Sequence, residues 1–153
     1  MNAVLKGGIA AGLVGGALDL LAASVIYPLM EGFPAIRVPQ SIASGVMGAA
    51  AYEGGVATAL LGTGLHFLIA LFAGLALAAG MSLYEPLRRM AFATGAVFGA
   101  AMYVFMNYVV VPVSRAVVGE PDATRIAIGV LIHLFLFGVP MAYVARRFLT
   151  AKG

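Results

Sequence analysis

Charge is scarce in this chain. Of its 153 residues 10% are charged and 63% are hydrophobic, and the mean hydropathy is +1.05. A water-soluble domain carries about 25% charged residues, so this chain cannot cover its own surface against water. Intrinsic disorder needs the opposite balance, low hydrophobicity with high net charge, and is excluded. The formal net charge is +3, but the basic residues are scattered and gather only near predicted helix ends, which leaves no patch for nucleic acid. Cysteine is absent. That removes a disulfide framework, a thiolate zinc site and all thiol chemistry. What the composition leaves is an integral membrane protein. Open strands cannot cross lipid with their backbone groups unpaired, so the crossing elements are helices.

A bilayer core takes about 20 mostly apolar residues per helix. Four stretches qualify: residues 4–30, interrupted only by Asp19; the charge-free residues 54–84; residues 90–114; and residues 126–145. The start has the outline of a signal peptide, with Lys6, an apolar run and Ala22-Ala23-Ser24. Asp19 breaks that run, and hydrophobicity continues through Tyr27-Pro28-Leu29, so it is read as a span. The expected fold is an all-α bundle of four transmembrane helices in one domain over residues 1–153. Lys6, Arg88, Arg89, Arg146, Arg147 and Lys152 fall on one side, against Arg37, Arg115 and Arg125 on the other. That bias predicts both termini in the cytoplasm.

The first outer connection is long and rich in turn formers, with Glu31-Gly32-Phe33-Pro34 and then Pro39. Loops of such length in compact bundles carry function or structure of their own. Pro39-Gln40-Ser41 resembles a helix start, and residues 40–52 are too few to span. They predict a short interfacial or re-entrant helix on the outer face, broken by Glu53-Gly54-Gly55. The cytoplasmic link Glu85-Pro86-Leu87-Arg88-Arg89 is short. Before span four, Asp122 is placed to cap the helix and to set a negative charge at its positive end.

The two halves read as a repeat, residues 4–84 with an insertion at 31–55, then residues 90–147. Gly62-x-x-x-His66 parallels Gly129-x-x-x-His133, and Gly12 with Gly16 parallels Gly95 with Gly99. Each half crosses twice, so the pseudo-twofold axis would run along the membrane normal. Lipid tails are as apolar as leucine, so helices in a bilayer associate through close packing, and glycine stripes permit it. Gly8-Gly12-Gly16 and Gly95-Gly99 are such stripes. They serve packing within the chain, a homo-oligomer, or a membrane-protein partner equally well.

Ionisable groups at bilayer depth cost about 2.5–3.5 kcal/mol on insertion scales and usually face a partner or a cavity. Asp19, His66 and His133 stand near the middle of spans one, two and four, at similar depth, each on a face of small residues. Asn107 lies slightly further out in span three, with Tyr103 one turn below. Spans two and four are commonly diagonal in an up-down bundle, so the two imidazoles are expected to face each other. Three readings follow from these residue types. Asp19 with His66 can handle protons or a small solute. His66 and His133, each with a glycine one turn away, can hold a b-type haem or other tetrapyrrole as axial ligands. Alternatively the groups only hydrogen-bond across helices, at about 0.6 kcal/mol each. No metal site is expected, because no helix carries a ligand pair. The phenylalanines 67, 72, 92, 98, 135 and 137 read as lipid-facing or core residues, and Tyr27, Tyr84 and Tyr143 as interfacial anchors. No nucleophile with an adjacent base, phosphate loop or paired carboxylate appears, so the chain is expected not to be an enzyme.

Gln40-Ser41-Ile42-Ala43-Ser44-Gly45, Gly64-Leu65-His66-Phe67, Met106-Asn107 with Val110-Val111-Pro112, and His133 together resemble a group of small bacterial inner-membrane proteins of unknown function. The likeness extends over about residues 7 to 147. It implies the four-span architecture and a bacterial inner membrane, and no activity. The expected role is therefore a small inner-membrane protein with a buried Asp/His site, a tetrapyrrole carrier, or an accessory subunit of a larger membrane complex.

Overall fold

The computed structural model describes residues 2–150, and they contain helices and connections but no strand. Four helices are long and apolar enough to cross a bilayer: α1 (Ala3–Glu31), α3 (Gly55–Leu83), α5 (Ala91–Val113) and α6 (Ala123–Thr150). Between α1 and α3 lies the shorter α2 (Arg37–Met47), and α4 (Glu85–Arg89) fills the link from α3 to α5. Lys152 lies outside the described residues.

Local chemistry sets the ends. Asn2 Oδ1 accepts the Leu5 N–H at 2.8 Å and opens α1. Gly32, at φ 74°, closes it in the left-handed conformation that glycine adopts without strain. Asp122 Oδ1 accepts the Arg125 N–H at 2.8 Å, the cap expected for span four. Two boundaries differ from expectation. Helix α6 continues beyond residue 145 through Arg146 and Arg147, whose long stems reach outward from an apolar helix end. Helix α2 starts at Arg37, before Pro39, because proline is tolerated in a first turn. It stops at Met47, and residues 48–52 follow as a tighter 3-10 turn.

Helix α1 is central, packed against α3 on one side and α6 on the other, and α6 packs in turn against α5. The fourth edge of the bundle, between α3 and α5, is held together mainly through α4. The glycine stripes explain two of the three closed edges, α1/α3 and α5/α6. A methyl at Gly74 would strike the backbone of Gly8 and Gly12, and one at Gly138 would strike Gly95 and Gly99. These stripes serve packing inside the chain. The register also differs from the sequence pairing. Gly8 and Gly12, rather than Gly12 and Gly16, stand to Gly74 as Gly95 and Gly99 stand to Gly138.

At the end of the bundle where α1 begins and α6 ends, this close approach buries Ala11, Ala73, Ala78, Met81, Met141, Ala142 and Ala145 in one dense core. Leu13, Leu21, Leu60, Leu68, Phe72, Val97 and Val104 point outward and form a belt suited to acyl chains. Phe137 is core rather than lipid-facing, at 4% exposure.

Two turns of the spans are wider than α-helical. Residues Met106–Val110 in α5 and His133–Gly138 in α6 are π-helical. Each ends two residues before a proline, Pro112 and Pro140. A proline lacks the N–H and its ring crowds the carbonyl four residues back. That carbonyl belongs to Tyr108 and to Leu136, both within the widened turns, which relieve the clash. Such turns recur at functional sites.

Candidate functional site: a buried carboxylate between two imidazoles

The widened turns and the open α3/α5 edge lie at the same level, and a cavity of about 670 Å³ occupies it. Its lower wall is formed by Asp19, His66, Ala70, His133 and Phe137. Tyr27, Met102, Tyr103, Met106 and Asn107 form the sides. The roof is Val38, Ser41 and Ile42 of α2 with residues 118–121 of the connection between α5 and α6, and Arg125 stands beside it. Backbone and hydroxyl bonds join the two roof segments. Arg115 N–H donates to Gly45 O at 2.9 Å, Val117 N–H to Ser44 Oγ at 3.0 Å, and Tyr52 O–H to Val117 O at 2.7 Å. Gln40 fastens α2 to α3 by donating to Gly55 O at 3.1 Å.

Asp19 is 7% exposed. His66 Nε2 lies 3.9 Å from its Oδ2 and His133 Nδ1 lies 3.5 Å from its Oδ1. The three groups singled out from sequence, on three separate spans, therefore meet. Neither imidazole nitrogen is spent on the carboxylate. His66 Nε2 stands 2.8 Å from Gly16 O and His133 Nδ1 stands 3.0 Å from Gly129 O. A carbonyl oxygen only accepts, so each of these nitrogens carries the hydrogen and donates it to the main chain. Asp19 Oδ1 is buried with no hydrogen-bond partner. An unsatisfied buried acceptor costs about 1–3 kcal/mol, and more when charged. The remaining nitrogens, His66 Nδ1 and His133 Nε2, are in no hydrogen bond among the described residues.

Tyr103 and Asn107 join this group in different ways. The Tyr103 ring is buried edge-on to His133, with centroids 5.4 Å apart. It also fills the space that a side chain at Gly129 would need. Asn107 lies higher on the cavity wall, and its Nδ2 donates to Tyr103 O at 2.9 Å. This bond occupies part of the amide in a local backbone contact within the widened stretch.

For bis-imidazole ligation of a haem, both rings must turn a free nitrogen toward one iron. Here each ring turns a nitrogen already committed to a carbonyl toward the same carboxylate. The glycines read as making room for a macrocycle are filled by protein. A methyl at Gly62 would strike the Pro39 carbonyl of α2, and one at Gly129 would meet Tyr103 and the Tyr27 hydroxyl. The arrangement of His66 and His133 does not fit a tetrapyrrole. Nor do three metal-capable side chains converge as a ligand set among the described residues.

Sequence reasoning missed Tyr27 and Arg125. Tyr27, expected as an interfacial anchor, faces the cavity. The Arg125 guanidinium lies 5.2 Å over its ring and pairs with Glu31 at 3.0 Å. The available signal was position: Tyr27 lies eight residues beyond Asp19 on one helix, about two turns away and close to the same face. The widened turns had a signal too, the prolines inside spans three and four. No family model, curated protein or solved structure matches the chain. The likeness to small inner-membrane proteins rests on its own residues alone, and the four apolar helices are compatible with it.

Proposed function

We propose that the chain is a non-enzymatic, multi-pass protein of the bacterial inner membrane whose outer cavity brings protons or a small solute to Asp19. One observation carries this reading: the buried Asp19 carboxylate at the cavity wall, with one oxygen unpartnered. A group serving only to pin helices together would have its hydrogen bonds satisfied, because unpaired polar atoms in a dry bundle are costly. His66 and His133 act as proton partners, each holding an N–H against the main chain while its other nitrogen exchanges. Supporting the topology, the start of α1, the end of α6 and the Arg88-Arg89 link fall at the packed end, and the cavity roof falls at the opposite end. The like crossings at Gly74 and Gly138 support reading the two helix pairs as a repeat, offset by one turn from the pairing of the histidines.

The test is proton flux into liposomes carrying the purified chain, driven by a potassium diffusion potential and read with a trapped pH dye. The wild-type chain is expected to conduct above empty vesicles, and Asp19→Asn to abolish the difference. Flux equal to empty vesicles, or flux indifferent to Asp19→Asn, removes the proton form of the reading.

A further inference from the structure

The cavity has more room than a proton needs, and its walls have a definite chemistry. Its charged lining is Asp19, Glu120 and Arg125. Arg125 is already held by Glu31 and by the Tyr27 ring, so it does not answer Asp19. The two imidazoles have given their hydrogens to Gly16 and Gly129. What remains is the Asp19 carboxyl on the cavity wall, with its inner oxygen Oδ1 unpartnered and no cationic side chain left to answer it. Around it stand aromatic and thioether groups, Tyr27, Tyr103, Phe137, Met102 and Met106.

A small, strongly hydrated ion would leave the predominantly apolar part of the walls without a partner. A neutral solute would leave the carboxylate uncompensated. A cation bearing carbon substituents meets both demands, because ring faces attract it and apolar walls accept its body. The volume of about 670 Å³ lies within the range of small-molecule sites, about 300–1,000 Å³. We propose that the cavity binds a monovalent organic cation of the substituted-ammonium class, with its positive centre against Asp19 and its apolar part against Tyr27, Tyr103 and Phe137. This inference rests on Asp19 being a working site, as proposed above, and adds the ligand class.

The probe is benzyltrimethylammonium, titrated into the full chain in lipid nanodiscs. Calorimetry is the main readout; the chain has no tryptophan, and three of its six tyrosines, Tyr27, Tyr103 and Tyr108, line the cavity, so a change in tyrosine emission is a second. Saturable binding is expected. Neopentylbenzene, the uncharged isostere, should fail to compete. Asp19→Asn should weaken binding by at least about tenfold and Tyr103→Leu by about three- to tenfold, with Tyr103→Phe close to wild type. The isostere comparison uses only the wild-type chain, so it stands even if a variant fails to fold. Equal binding of the isostere, or no saturable binding of the ammonium, overturns the inference. If the ammonium fails while Asp19-dependent proton flux persists, the ligand class falls and the proton reading stands. If both fail, Asp19 is not a working site.

Discussion

The two ends of this bundle are made from the same few residue types and differ in what the backbone does with them. At the end where α1 begins and α6 ends, Gly8, Gly12 and Gly74 let α1 and α3 touch backbone to backbone, and Gly95, Gly99 and Gly138 do so for α5 and α6. Alanine and methionine then fill what little space is left. At the opposite end the helices lose this contact. Prolines widen one turn in α5 and one in α6, the α3/α5 edge stays open, and α2 with residues 118–121 roofs the gap. Close packing provides association where water gives no drive, and the end that forgoes it is free to hold a buried charge. One end fixes the helices so that the other can keep a cavity.

The comparison can be broken most severely at its packed end. Gly74→Leu puts a branched side chain into the backbone of Gly8 and Gly12. Overpacking costs typically 1–3 kcal/mol and sometimes more, and here no flexible group can yield. We expect aggregation, or a melting temperature in detergent far below wild type. Gly64→Ala, where an added methyl meets nothing within 4 Å, is the control and should melt like wild type. If Gly74→Leu melts normally as well, the account of the packed end is wrong.

The open end should respond in the opposite sense. Asp19→Asn replaces a carboxyl whose buried Oδ1 has no partner, so the variant is expected to be as stable as wild type or up to about 1 kcal/mol more stable, while flux disappears. A clear loss of stability, measured by thermal unfolding in the same detergent, would instead make Asp19 a packing group.

Smaller effects sharpen the boundary between the ends. Pro140→Ala restores a backbone N–H and removes the ring that crowds Leu136. Relaxation of the widened turn would rotate His133 relative to Asp19. We expect flux or ammonium binding to drop several-fold, with a stability change below about 1 kcal/mol in either direction. Circular dichroism with a binding titration separates the two. Smallest of all, Arg125→Gln breaks a partly exposed pair with Glu31, worth roughly 0–1 kcal/mol after solvent screening. Melting should barely change, and any effect should be confined to the salt dependence of ligand association.

Much of this was legible in the residues. Hydropathy alone delimits four spans, because crossing lipid imposes a length and a composition whatever the neighbours are. The Asp122 cap and a short outer helix follow from local turn chemistry. Asp19, His66 and His133 were conspicuous because ionisable groups in lipid are rare. The histidine-glycine spacing misled. Gly62 and Gly129 are small so that Pro39 and Tyr103 can come close. The one-turn error in pairing Gly12 with Gly95 has a similar origin, since many small residues recur every fourth position and several registers look alike.

The chain's own composition settled that it is a bundle of apolar helices, where each one begins and ends to within a few residues, and that one acid and two imidazoles lie at one depth. Those properties depend on single segments and their solvent. Tertiary structure decided which faces meet, that α3 and α5 stand apart, that Tyr27 turns inward, and that the two imidazoles spend their hydrogens on carbonyls and leave Asp19 Oδ1 unpartnered. Helices that are apolar on every side carry no amphipathic stripe to announce their facing, so only backbone-to-backbone fit between segments distant in sequence could select it.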